Sequence, residues 1–210
     1  MERRVQIAIL VVASLILQGL VYLYFDKVLL APTSSYQVTA AADNVAGGQA
    51  YYSRDRRYTA IIKADAVDIY AAPGKTPVRT VELRGKKVSY FRWLEDRDLA
   101  LMAVHEDGRD TASVTLSQIR PLGGEHELSE TVSKLPRGSK ITDVAYSTAT
   151  NVIYMLVQTA VSPDLFRVYR TDANRDVTRV YLNSNRVGKI AVLYDQDTMF
   201  YDNVLEGTIT

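Results

Sequence analysis

Four stretches of the chain share one outline: Tyr52-SRDRR-Tyr58-TAII, Trp93-LEDRD-Leu99-ALM, Tyr146-STATN-Val152-IYM and Tyr194-DQDT-Met199-FY. Each is an aromatic residue, then a polar turn, then an apolar run. The apolar residue after the turn falls at 58, 99, 152 and 199, giving intervals of 41, 53 and 47 residues. A second spacing links the first and third units. Tyr70 is followed by Val78, Val81 and Leu83, and Tyr169 by Val177, Val180 and Leu182, at identical offsets. One such match arises by chance in any meander of strands. Four matches and a three-point offset mark a repeat of about 40–50 residues, the period of propeller blades.

The rest of the region supports strands. Short β-branched or alternating runs recur between turn residues. The pattern predicts strands at Tyr58–Lys63, Ala66–Tyr70, Val78–Leu83, Val88–Trp93, Leu99–His105 and Ala112–Ile119. It predicts six more at Ile141–Tyr146, Val152–Thr159, Leu165–Arg170, Val177–Leu182, Ile190–Tyr194 and Met199–Asp202. Turns such as AAPGKT, EDGRD and TDANRD supply Asp, Asn, Gly and Pro, which favour tight-turn backbone and local hydrogen bonds. One stretch, Glu127–Lys134, reads as weakly helical, and the second unit needs an insertion between Ile119 and Thr131.

The turn Ser53-Arg54-Asp55-Arg56-Arg57-Tyr58-Thr59-Ala60 resembles the S-P-D-G-K-x-x-A turn of the TolB-like, PD40-type propeller repeat. That repeat also occurs in the N-terminal propeller of dipeptidyl-peptidase IV-like proteins. Trp93-Leu94-Glu95-Asp96-Arg97-Asp98-Leu99 looks like a second copy. Arg54 stands where the family has Pro and Arg56 where it has Gly, and the third and fourth copies keep only the outline. The resemblance implies a propeller-like fold over most of residues 50–203 and carries no catalytic residue across.

The fold expected is therefore all-β: a propeller-like array of about three and a half four-stranded antiparallel blades, preceded by one N-terminal transmembrane helix. Closed propellers use about 4–8 blades. Either the segment 204–210 pairs with the first blade to close a small ring, or the blades form an open arc. An open arc has edges that need a cover, supplied by self-association or a protein partner.

Upstream, Val5–Phe25 is 21 residues without a charge. At about 1.5 Å each they reach roughly 30 Å, the depth of a hydrocarbon core. Arg3 and Arg4 precede the run, and Asp26 and Lys27 nearly cancel after it. The positive-inside rule places residues 1–4 in the cytoplasm and the remainder outside. The run exceeds the ~7–15 residues of a signal-peptide core, and Leu29-Leu30-Ala31 is a poor cleavage site. The expectation is an uncleaved anchor in the lipid bilayer at 5–25, a small, polar tether at 26–48, and an extracytoplasmic domain at 49–210. The resemblance places that domain in a bacterial cell envelope.

Composition closes several routes. The chain has 210 residues, 25 Lys plus Arg against 24 Asp plus Glu, and no Cys. Balanced charge gives no pull toward nucleic acid, and no nucleic-acid partner is expected. Without Cys there is no disulfide, thiolate metal site, cysteine nucleophile or lipidated cysteine. No G-x-S-x-G, phosphate loop or dinucleotide fingerprint is present. The two histidines, His105 and His126, lack a partner segment with ligand spacing; Glu125, His126 and Glu127 alternate in a loop and converge poorly on a metal. No cofactor, metal or catalytic residue is expected. Glu95, Asp96 and Asp98 read as turn formers rather than an acid–base pair.

What remains is a binding surface made of the repeated turns: Arg54, Arg56, Arg57, Asp96, Arg97, Asp98, Asn151, Asp195 and Asp197. The function read from it is a non-enzymatic binding, scaffolding or sensing module. Alternatives are an accessory or divergent domain of a secreted hydrolase system and a purely structural oligomerising domain.

Overall fold

A computed structural model describes residues 43–45, 48–124, 127–161 and 164–210, together with Gln6, Ser14, Leu17–Gly19 and Val21. Those last six are helical. The rest of the predicted anchor lies outside the described residues, as does most of the predicted tether. No helix among the described residues is long and apolar enough to cross a membrane.

Residues 42–210 form one unit of four antiparallel sheets in chain order. The first holds β1 (Asp43–Val45), β2 (Gly48–Tyr52), β3 (Tyr58–Ile62), β4 (Ala66–Ala71) and β5 (Pro77–Glu82). The second holds β6 (Lys87–Trp93), β7 (Ala100–Asp107), β8 (Ala112–Ile119) and β9 (Ser129–Leu135). The third holds β10 (Lys140–Ser147), β11 (Val152–Val161), β12 (Asp164–Thr171) and β13 (Thr178–Val180). The fourth holds β14 (Val187–Val192), β15 (Met199–Asn203) and β16 (Thr208–Ile209). Every sheet is a sequential meander. The arrangement is that of propeller blades, as the repeat predicts.

The hydrophobic core is not one body but three junctions, each between sequence neighbours. Ala60, Val67 and Ile69 of the first sheet pack on Phe91, Trp93 and Met102 of the second. Leu101, Ala103, Val114 and Leu116 of the second pack on Ile141, Val144, Met155 and Val157 of the third. Tyr154, Leu156 and Val168 of the third pack on Val187, Ile190 and Tyr201 of the fourth. Successive residues of a strand point to opposite faces. Met102 and Val104 thus reach back to the first sheet, while Leu101 and Ala103 reach forward to the third. Both faces of β7 and β11 are covered, which is why Ala100–Val104 and Val152–Val157 read as nearly unbroken apolar runs. Burying one such Leu or Val contributes about 1.5–3 kcal/mol.

Four expectations are corrected. Glu127–Lys134 is not helical: Ser129–Leu135 is the outer strand β9, burying Val132 and Leu135 while Ser129 and Thr131 bond across to Ser117 and Thr115. Asp43–Val45 and Gly48 fall within the segment read as tether, yet pair as β1 and β2. Residues 204–210 do not reach the first sheet; β16 pairs with β15, and Tyr201 and Thr210 exchange backbone bonds. The fourth copy of the motif is one residue out of step. Tyr58, Leu99 and Val152 face the sheet that follows, but Met199 faces the third sheet, which precedes it.

The tyrosine half of the second spacing also slips. Val81 and Val180 are true counterparts, opposite the buried Val67 and Val168. Tyr169, however, pairs with Met155, and the residue at that place in the first sheet is Asp68, paired with Ile61.

Candidate functional site

In a meander the turn between first and second full strands always lies at the same end of its sheet. The four predicted turns are those hairpins: 53–57, 94–99, 148–151 and 193–198. They form one rim, and the charged residues in them are mostly engaged with each other.

The first hairpin is built by side chains. The Ser53 hydroxyl accepts from the Tyr58 amide at 3.0 Å and donates to Asp55 at 2.9 Å. Asp55 also accepts from the Arg57 amide at 3.1 Å and pairs with the Arg57 guanidinium. This local bonding is what Asp and Ser offer a turn. The Arg57 guanidinium holds the Asp55 carboxyl down to a pKa of about 2. Arg56 takes a left-handed φ of 57° at the tip, where the family pattern has Gly, and lies over the Tyr52 ring.

Links then run from hairpin to hairpin. Arg57 reaches Asp98 at 2.9 Å, and Arg54 donates to the Glu95 carbonyl at 3.3 Å. Just below, the Trp93 indole donates to the Tyr51 carbonyl at 3.0 Å, and its ring stacks on Tyr58. Asp96 pairs with Arg97 at 2.8 Å; that contact, aided by the Thr148 hydroxyl of the third hairpin, outweighs burial and lowers its pKa. Arg92 lies over the Tyr146 ring, 5.9 Å from its centroid. At the last junction Ser147 donates to the Tyr194 carbonyl, and the Tyr154 hydroxyl donates to Asp197 at 2.5 Å. Arg170 clamps the same carboxylate at 2.6 Å and Asp172 at 3.0 Å. Arg170 holds Asp197 low, while burial first, and then the Asp197 bond, push the Tyr154 hydroxyl up to about 12.

The structure thus brings Arg54, Arg57, Asp96, Arg97 and Asp98 together around an open cleft between the first two hairpins, floored by Leu94. Arg56 stands beside that cleft rather than in it. Asn151, with a left-handed φ of 54°, lines a separate crevice between the second and third sheets with Glu130 and Arg175. Asp197 is tied into the last junction, and Asp195 is exposed and joins none of these groups. Tyr154, Arg170 and Ser147 were missed by sequence reasoning. No sequence signal marks them: Tyr154 and Arg170 meet through the register of β11 and β12, and the 43 residues from Tyr154 to Asp197 match none of the repeat intervals.

The loop read as a poor metal site divides. Glu125 and His126 lie outside the described residues. Glu127 is bound by both guanidinium nitrogens of Arg79 and by the Arg120 amide, and Arg79 holds its carboxyl low. That contact ties β5 of the first sheet to the second. Among the described residues no group of three His, Cys, Asp or Glu is placed to hold a metal ion.

No protein family matches the chain, and no curated protein does. Among solved structures, the β-propeller domain of Cps50 (Swd1) from Myceliophteria thermophila is similar, with a TM-score of 0.51 at 12% identity. The match covers 86% of this chain and 56% of that one, so this chain spans about half the length of its neighbour. The likeness is one of fold: four stacked meander sheets follow the course of a β-propeller.

Proposed function

We propose that this chain is a non-enzymatic interaction module of propeller type. Residues 5–25 anchor it in the membrane of a bacterial cell envelope, the domain stands on the extracytoplasmic side, and a partner protein docks on the hairpin rim. The observation that carries this reading is the linked rim. Arg54, Arg57, Asp96, Arg97 and Asp98 converge on one open cleft from two different sheets. Their carboxylates are paired with guanidinium groups, and such fork-shaped donors favour recognition over proton transfer. General acid–base catalysis wants a group titrating near the working pH. Asp55, Asp96 and Asp197 are instead held low and Tyr154 high. The turn resemblance to TolB-like repeats supports the envelope setting, and the uncharged run supports the anchor.

The test is site-specific photo-crosslinking in intact cells. A photoreactive residue replaces Arg54, Arg56 or, at the opposite end of the sheets, Lys140. Adducts from the first two and not from Lys140 support a rim-docked partner. Adducts from none of the rim positions reject it.

A further inference from the structure

The two ends of the stack are unlike its interior. Val104, Val157 and Asn203 each pair with the residue just before the bulge of the preceding strand, namely Val88, Ile141 and Val187. Counting back three residues gives Leu101, Tyr154 and Phe200 as counterparts, with Ala60 at the same place in the first sheet. All point toward the sheet that follows. Ala60, Leu101 and Tyr154 are 0%, 1% and 5% exposed; Phe200 is 37% exposed. On the adjoining strand Val67, Leu116 and Val168 are buried at 0–3%, and their counterpart Ile209, paired with Asp202, is 79% exposed. The fourth sheet therefore repeats the apolar pattern of the other three on a face that no other described sheet covers.

The first sheet has the complementary end. Met102, Met155 and Tyr201 pack back on a preceding sheet; their counterpart Ile61 is only half-buried. Val177 packs back on the second sheet, and its counterpart Val78 is 43% exposed. These two faces do not cover each other within one chain. The match covers 56% of a β-propeller domain, so the four sheets correspond to part of such a ring.

We infer that a second copy of this chain covers both ends. The fourth-sheet face, Phe200 and Ile209, packs on the first-sheet face, Ile61 and Val78, of the other copy, and the reverse contact forms at the far side. The new junctions continue the three described within the chain and use the same strand positions. Two such arcs related by a two-fold axis then close into one ring with no free sheet face, as a closed point group requires. A ring of this kind falls at the upper end of the about 4–8 blades that propellers use. The inference does not depend on what the rim binds.

The test uses the full chain in mild detergent, with mass measured by light scattering across a dilution series. The expected protein mass is that of two chains, falling by half in Ile209→Glu, a change at an exposed position that leaves the interior intact. The chain has no Cys, so introduced thiols are unique. Chains carrying Ile61→Cys and chains carrying Phe200→Cys, mixed and oxidised, should give a cross-linked pair that neither gives alone. A single-chain mass at every concentration overturns the inference. So does a disulfide within one chain carrying both substitutions. A dimer that survives Ile209→Glu and yields no mixed cross-link also overturns it, since it pairs elsewhere.

Discussion

Arg57 and Asp98, 41 residues apart, meet at 2.9 Å and join the tips of two successive hairpins. Both side chains stay well exposed, and Arg57 is shared with Asp55. Water and salt screen such a pair, and exposed ion pairs contribute about 0.2–1 kcal/mol. A double-mutant cycle on Arg57→Ala and Asp98→Ala should give a coupling below about 0.5 kcal/mol, shrinking further in 0.5 M salt. Urea unfolding followed by fluorescence of Trp93, the chain's single tryptophan and part of the first junction, measures it. A coupling above 2 kcal/mol would show that the tips hold the sheets together.

The last junction should behave differently. Tyr154 is buried, and its hydroxyl donates to the ionised Asp197. Hydrogen bonds to charged partners contribute roughly 1.5–3 kcal/mol. Tyr154→Phe keeps the ring and removes that bond, so it should lower stability by about 1–2 kcal/mol. Asp197→Asn leaves Arg170 to Asp172 alone and should cost a similar amount. The two losses should not add, because they remove one interaction.

Apolar packing sets the larger scale. Leu101 is almost wholly buried between the second and third sheets. Leu101→Ala should cost about 3 kcal/mol, within the 2–5 kcal/mol typical of core truncation. A loss under 1 kcal/mol would place the stabilising contacts elsewhere.

His105 introduces a pH dependence. It is half-buried on β7, and its enclosed Nδ1 has no hydrogen-bond partner among the described residues. Burial pushes its pKa below 6.5, Asp107 partly opposes that, and Lys87 and Lys140 reinforce it. The unfolded chain then binds the proton more readily than the folded one. Stability from this group is complete above pH 6.5 and is lost as the pH falls through the lowered folded value. Melting temperature should drop between pH 7.5 and 5.5, and His105→Gln should flatten that slope. An equal slope in both proteins would assign it to other groups.

Gly48 opens β2 with φ of 155°, and a Cβ there would stand 2.2 Å from the Ile62 carbonyl oxygen. Backbone cannot yield as a side chain can. Gly48→Ala should therefore destabilise the first sheet by about 1–3 kcal/mol, a cost in the range of local backbone strain. Thermal melts of the two proteins decide it.

Much of this was legible because strand signals and turn chemistry agree. The hairpins at 53–57 and 94–99 announce themselves through Ser, Asp and Arg, and β7 and β11 through apolar runs set by two covered faces. The inner strands β1 and β2 were hidden because AAADNVAGGQ offers small residues and little side chain to bury. β9 hides because its inward Val132 and Leu135 are diluted by Ser, Thr, Glu and Lys, of which Ser129 and Thr131 bond across the sheet. The fourth motif slips in phase because its turn spans 193–198 and takes in Tyr194, whereas Tyr52, Trp93 and Tyr146 lie within their strands. The cleft charges were visible one by one. Their pairing was not, although the 41-residue separation of Arg57 and Asp98 equals the first repeat interval.

The three junctions join only neighbours in the chain, and each sheet closes on itself through short turns. Folding can then keep pace with synthesis. The first sheet pairs as soon as its strands have emerged on the side where the domain folds, and each later sheet finds its docking face already formed. Loop-closure entropy stays small at every step because no strand waits for a distant partner. The vectorial order of growth also implies a vectorial order of loss: a chain interrupted after residue 160 would keep its first junction, and damage in the fourth sheet would fray inward one layer at a time.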